Sequence, residues 1–381
     1  MEFALNEQQQ SVRELARRYA QDRLLPGMQT REEAAAVDGD WPDLSRERAG
    51  LFEQGFGGML LPEDEGGLGL DHLSFSLALE ELSRVDPSMG QLLSNHNALG
   101  VGWMRHAAPR LREAWLPRLA AGQALAAWTR MDDLQQPLLA VEQDPFLVLN
   151  GVKRMVTAGA IGDLLLVSAQ LDGRRVLMAL QAATEGVSRA REPKSLGLRG
   201  AGIGRVEFRD VRVDEEARLD TRTSGKGLML IRATASLGWA SVALGIMEGS
   251  ARLAQDYAGQ REQFNRTIDQ FEAVRFKLVD MQVKLEATRS LVWRAAAAAD
   301  AGQPTEFARL ADLARLMGAE GAGFCGRECV QIHGGYGYSR EYHAERFMRD
   351  ARGMELVGGG VENLREAVAG QWLGLGQTSL S

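Results

Sequence analysis

Apolar residues recur at helical intervals over the first third of the chain. Phe3, Leu5, Val12, Leu15 and Tyr19 follow that spacing, and Leu77, Leu79, Leu82 and Val85 form part of a second apolar stretch. Such periodicity predicts helices with one face turned to a core. Between the two stretches, Leu61-Pro-Glu-Asp-Glu-Gly-Gly-Leu-Gly-Leu70 is predicted to be a loop, because its proline and three glycines oppose regular helix. The pattern then shortens. Phe146-Leu-Val-Leu149 runs into Asn150-Gly151, a tight-turn pair, and Leu164–Ala169 and Val176–Leu180 flank Asp172-Gly173, a second hairpin signal. Arg205-Val-Glu-Phe-Arg209 follows a glycine-rich loop. This block reads as a small antiparallel β domain. Beyond it, Phe271, Val274, Leu278, Met281, Leu285, Thr288 and Val292 step by three and four as one apolar seam, suited to a helical bundle. Pro304-Thr305 predicts the start of another helix and Gly334-Gly335 its stop.

The expected fold is therefore α+β and mostly α. It comprises an N-terminal helical domain over 1–125, a middle β domain over 126–225 and a C-terminal helical domain over 226–381. The 381 residues carry a net charge of -7, which argues against a nucleic-acid surface. The N-terminal MEFALNEQQQSVREL lacks the layout of a signal peptide, and no run of about 18 uncharged apolar residues suggests a membrane span. A cytoplasmic protein is expected. Cys325 and Cys329 stand four apart with no further cysteine, too few ligands for structural zinc; they read as small core residues, and no metal is expected.

Toward the C-terminus stands Gln331-Ile-His-Gly-Gly-Tyr-Gly-Tyr338, followed by Glu341-Tyr342, Glu345-Arg346 and Arg349-Asp350-Ala351-Arg352. This run resembles the C-terminal signature of the acyl-CoA dehydrogenase family, FAD enzymes that desaturate acyl-CoA thioesters. Leu61–Gly69, Leu149-Asn-Gly-Val-Lys-Arg-Met-Val-Thr157 and Arg261-Glu-Gln-Phe-Asn-Arg-Thr-Ile268 with Gln270-Phe271 resemble three further family segments, in the family's order. The resemblance covers the whole chain. It implies FAD, an acyl thioester substrate on CoA or a carrier protein, and an electron-transfer flavoprotein as partner if the chain is a dehydrogenase. It also implies a homodimer or homotetramer, or a hetero-oligomer with a related chain, because the cofactor site is shared between subunits.

The resemblance assigns roles residue by residue. Arg261 matches the guanidinium for the FAD pyrophosphate, whose oxygens suit an arginine fork, and Phe264 the aromatic beside it. Gln331, Gly334 and Gly335 match the segment at the adenosine end, where glycine permits close backbone approach. Thr157 matches a hydroxyl near flavin N5, Thr129 one near the ring edge, and Glu362 a polar residue that touches the flavin.

The departures concern the reaction. The family base is a carboxylate that removes the thioester α proton. Where most members read Tyr-Glu-Gly-Thr, this chain reads Val357-Gly358-Gly359-Gly360, so Gly358 holds the base position. A minority branch takes its base from an earlier helix, where this chain has Ala235, with Ser236 where an arginine is common. The segment Arg130–Pro137 is shortened, and Met155 replaces the usual aromatic. Glu362, expected in the first turn of a last helix, is the weak remaining candidate for a base, ahead of Glu355 and Glu248. His96 and His333 read as structural. Three readings follow. The first is an FAD-dependent acyl-CoA dehydrogenase-like oxidoreductase. The second is an FAD protein with monooxygenase or elimination chemistry. The third is a non-catalytic subunit of a hetero-oligomer.

Overall fold

Asn6 decides where the first helix begins. Its side chain accepts the Gln9 amide at 2.8 Å and the Gln9 side chain accepts the Asn6 amide at 3.0 Å, so α1 runs over Glu7–Tyr19 and Leu5 lies before it. The computed structural model describes residues 4–28, 30–31, 44–129, 135–191, 195–219 and 225–374. Phe3 and residues 130–134 of the shortened segment thus lie outside the described residues. The N-terminal part also carries α2 (Ser45–Glu53), α3 (His72–Ser83), α4 (Pro87–Asn95) and α5 (Pro109–Ala120). Asp71 and Asp86 cap α3 and α4 by accepting the amides of Ser74 and of Ser88 and Met89. The capped pair is almost wholly buried, and α4 continues into wider turns over His96–Val101.

Seven strands follow: β1 (Ala126–Thr129), β2 (Leu139–Gln143), β3 (Phe146–Val156), β4 (Leu164–Leu171), β5 (Arg174–Gln181), β6 (Val187–Ala190) and β7 (Gly204–Asp214). They form one sheet in the order β1-β4-β2-β3-β7-β6, with β5 on β4. Asp172-Gly173 turns β4 into β5 as expected, with both residues at positive φ. Two expectations are corrected. The sheet is not purely antiparallel, because β1 and β2 both run parallel to β4. Asn150-Gly151 is no hairpin turn but a bulge inside β3, where the register on β7 shifts. Asn150 exchanges hydrogen bonds with Asp210 at 3.0 and 2.9 Å, and a Cβ on Gly151 would lie 2.2 Å from the Pro137 carbonyl. The turn signal was thus spent on a close crossing of chains.

The C-terminal bundle comprises α6 (Gly225–Gln260), α7 (Glu272–Asp300), α8 (Pro304–His333), α9 (Ala344–Leu356) and α10 (Val361–Leu373). Between α6 and α7 a two-stranded hairpin, β8 (Glu262–Gln263) with β9 (Arg266–Thr267), replaces a simple helix junction. By length and composition α6 could cross a membrane, but 83% of its most apolar window is buried, as in a core helix. The α7 seam is buried at Met281, Leu285, Thr288 and Val292. A second apolar stripe, Phe276, Val279 and Val283, faces outward on the same helix. Arg289 ties α7 to α3 and α6 through Glu80 and Glu248, each at 2.8 Å. Helices, then sheet, then helices make the α+β, mostly α architecture.

Candidate functional site

The residues that resemblance assigned to one cofactor fall in two places on the chain. The first is a cavity of about 140 Å³ between the end of the sheet, α4, α6 and the α9–α10 connection. Trp128, Met155, Thr157 and Ile203 line it from the sheet, Gln91 and Asn95 from α4, and Trp239 from α6. Thr157 is buried one residue past β3, where it exchanges backbone hydrogen bonds with Trp128 at 3.1 Å. Thr129 ends β1 opposite Val167. The Ser195–Leu198 loop, Arg352, Gly353 and Leu356 to Gly359 complete the wall.

The sequence motif Arg349-Asp350-Ala351-Arg352 has a local job here. Asp350 accepts the Leu198 amide at 2.7 Å, Arg349 donates to the Leu196 carbonyl at 3.1 Å, and Arg352 reaches the cavity while pairing with Glu355 at 2.7 Å. The motif pins the 195–198 loop to α9. Met155, Leu198 and Gly358 hold left-handed backbone around this cavity, at φ 51°, 53° and 63°. Strain of this kind at non-glycine residues gathers at functional sites.

Gly358, which the resemblance aligns with the base, has no room for a side chain. A Cβ on Gly358 would stand 2.3 Å from Cζ3 of Trp239 and 2.8 Å from Nη2 of Arg315. Arg315 stacks on the Trp239 ring at 4.6 Å and donates to the Val357 carbonyl. On the other side Trp239 Nε1 donates to Asn95 Oδ1 at 2.7 Å. Among the described lining residues there is no Asp or Glu. Glu362 is exposed in the first turn of α10 and is not among the lining residues. Ala235 is buried, and Ser236 hydrogen-bonds Asp312 at 2.8 Å. Glu248 is taken by Arg289. Trp239, Asn95 and Arg315 were not singled out in the sequence. No local signal marks them, since they come from three helices far apart in the chain.

The second place is a surface patch at the end of the bundle. The β8–β9 turn carries Phe264 and Asn265 at φ 53° and 62°, which leaves the Phe264 ring 88% exposed. Arg261 stacks on Tyr336 at 5.5 Å. Gln331 is exposed in the last turn of α8, and Gly334 and Gly335 follow the helix with open space where their Cβ atoms would be. The structure thus groups Arg261 with the segment around Gly334 and Gly335, apart from Thr157.

An FAD fits this set of residues. The cavity offers an aromatic and aliphatic wall, and Gln91 Oε1 and Ser195 Oγ are buried beside it without hydrogen-bond partners among the described residues. Such orphaned atoms are what a bound group satisfies. The surface patch offers an exposed guanidinium and two glycines open to close approach.

His96, His333 and the two cysteines lie buried in packing contacts. His96 Nε2 hydrogen-bonds the Leu119 carbonyl at 3.0 Å while Nδ1 meets the Ala126 amide at 3.3 Å; burial lowers its pKa to about 4, so the ring is neutral. His333 stacks on Tyr257 at 4.2 Å. Both cysteines are free, and burial pushes their thiols up to about 12.

Comparison with known proteins bears on both places. Residues 6–123 match the family model described as acyl-CoA dehydrogenase, N-terminal domain, and residues 225–373 match the corresponding C-terminal domain. The chain is 30% identical to a short-chain specific acyl-CoA dehydrogenase of Clostridium acetobutylicum, over 97% of this chain and 99% of that one. It is 32% identical to a 3-sulfinopropanoyl-CoA desulfinase of Paraburkholderia xenovorans, over 98% and 97%. Its fold superposes on butyryl-CoA dehydrogenase from Megasphaera elsdenii with a TM-score of 0.88 at 29% identity, covering 98% of this chain and all of that one.

Proposed function

Because the chain belongs to the acyl-CoA dehydrogenase family, we propose that it is an FAD-dependent, acyl-CoA dehydrogenase-like oxidoreductase. Its cavity would receive the acyl end of a thioester carried on CoA or a carrier protein. FAD is the cofactor of this family, and the residues present fit it. The observation that carries the reading is the cavity itself: an aromatic and aliphatic wall with orphaned polar atoms, at the meeting of sheet and bundle.

When bound, FAD supplies a hydride acceptor. The chain's own residues do the remaining work. Trp128 and Met155 give the ring a flat apolar wall, and Thr157 offers a hydroxyl beside it. Arg261 binds a pyrophosphate through its fork, steadied by Tyr336. Buried apolar walls exclude water from the acyl end, which strengthens every polar contact there. If the chain is a dehydrogenase, an electron-transfer flavoprotein takes the electrons onward. A homo-oligomer is the natural setting, since Phe264, Phe276, Val279 and Val283 expose apolar surface that a second copy would cover. The two free, buried thiols suit a reducing, cytoplasmic location.

A second reading is favoured by one observation. After the Trp239 indole, the group nearest Gly358 is the Arg315 guanidinium, and the charged residue that lines the cavity, among those described, is Arg352, not a carboxylate. Loss of SO2 from a β-sulfinyl thioester would leave the C–S electron pair on carbon, where a proton quenches it while water takes up the SO2; no α proton is removed, and a nearby cation would hold the sulfinate. The similarity to a desulfinase is consistent with that chemistry.

The test is the visible absorption spectrum of the purified chain with FAD quantified per subunit, followed by anaerobic addition of an acyl-CoA panel. Stoichiometric flavin that bleaches with an acyl-CoA supports the dehydrogenase-like reading. Stoichiometric flavin that stays oxidised while the thioester loses a substituent supports elimination. A flavin-free protein that stays folded and oligomeric overturns both and makes the chain a partner subunit.

A further inference from the structure

We infer that Trp239 is a fixed plug at the inner end of the cavity, limiting the site to short acyl groups, and that Trp239 and any side chain at position 358 exclude one another. The inference rests on the proposed function and names the substrate class of that same site.

The indole is held from three directions. Asn95 accepts its Nε1–H at 2.7 Å, and Asn95 Oδ1 also accepts from Gln91 at 3.3 Å. The Arg315 guanidinium covers the ring at 4.6 Å and is anchored to the Val357 carbonyl. The backbone at Gly358 closes the remaining side, so close that an added Cβ would sit 2.3 Å from Cζ3 and 2.6 Å from Cη2. Contacts below 3 Å cannot be absorbed by a ring already fixed at its nitrogen and on its face. A carboxylate side chain at 358 and this indole cannot share the space. Loss of the side chain at 358 and presence of the indole at 239 are therefore one structural choice.

That choice has a consequence for the ligand. Trp239 is 6% exposed and lines the cavity beside Gln91 and Asn95 of α4, so its indole occupies space that a smaller side chain would open. What remains is about 140 Å³. A cavity of about 150 Å³ in another protein takes one benzene, so about six carbons is the upper bound here. Any ring resting on Trp128, Met155 and Thr157 takes part of that volume.

The experiment is calorimetric titration of the flavin-loaded chain with acetyl-, butyryl-, hexanoyl-, octanoyl- and decanoyl-CoA, repeated on Trp239→Val. FAD content and thermal midpoint are recorded for each. For the wild type, affinity is expected to stop rising by hexanoyl. For Trp239→Val it is expected to keep rising by about fourfold per methylene, the equivalent of about 0.8 kcal/mol. A merely structural role would lower the midpoint and shift all affinities together, leaving the dependence on chain length unchanged. Equal slopes beyond hexanoyl in both proteins overturn the inference and leave the thioester reading standing. If Trp239→Val does not fold, the wild-type series decides alone: a plateau supports the plug, and a continued rise overturns it. Flavin-replete wild type that binds no thioester at all overturns the proposed function and the inference with it.

Discussion

At the scale of single residues, Gly358 and Trp239 define the site more than any titratable group does. Replacing Gly358 by glutamate puts a carboxylate where the resemblance expects one but makes no room for it. The left-handed backbone costs about 1–2 kcal/mol and the collision with Trp239 a further 1–3 kcal/mol or so. Gly358→Glu is expected to lower stability by about 3 kcal/mol and to produce no exchange of thioester α protons, measured by thermal unfolding and by deuterium uptake. A gain of exchange in the single variant would contradict the packing argument. His96 makes a separate prediction. Its folded pKa of about 4 lies below the ordinary 6.5, so the unfolded chain binds the proton first. Stability is then full above pH 6.5 and is lost as pH falls toward 4, by about 3 kcal/mol in total from this group. His96→Gln, which keeps a donor and an acceptor, is expected to flatten that part of the stability–pH curve.

At the scale of elements, the contact of α3 with α7 depends on a buried charge. Burial raises the Glu80 carboxyl above its usual range even beside Arg289, whose own pKa is raised by that neighbour despite its burial. Removing the cation strands the carboxylate. Arg289→Ala is expected to cost about 3–5 kcal/mol. The double change Glu80→Leu with Arg289→Met should recover most of that loss, as read from thermal midpoints. Elements also show how far local reading reaches. The Asp172-Gly173 hairpin, the α8 boundaries at Pro304 and Gly334 and the buried seam of α7 were all legible, because each rests on neighbours in sequence. Asn150-Gly151 was misread because its partner, Asp210, lies far along the chain and outbids the turn. The β8–β9 hairpin was likewise hidden, since Phe264 and Asn265 carry no glycine to announce a positive φ.

At the scale of the whole molecule, the exposed stripe of Phe276, Val279 and Val283 lies on the helix whose opposite face forms the core. A helix apolar on two faces is one that meets a second body. Val279→Lys with Val283→Glu is expected to shift sedimentation toward a smaller species and to lower FAD occupancy in parallel, if Arg261 and Phe264 serve a shared cofactor. A smaller species with full flavin would separate assembly from cofactor binding.

The sequence by itself determined the family, the helix–sheet–helix order, the candidate FAD residues and the absence of a carboxylate at 358. Those follow from local periodicity, turn chemistry and motifs that are contiguous in the chain. Tertiary structure alone decided what stands beside Gly358. The Trp239 indole, the Asn95 amide and the Arg315 guanidinium come from α6, α4 and α8 and meet the α9–α10 connection at one point. A cavity is a statement about which side chains are left facing one another after packing, and no spacing along a single chain segment encodes that.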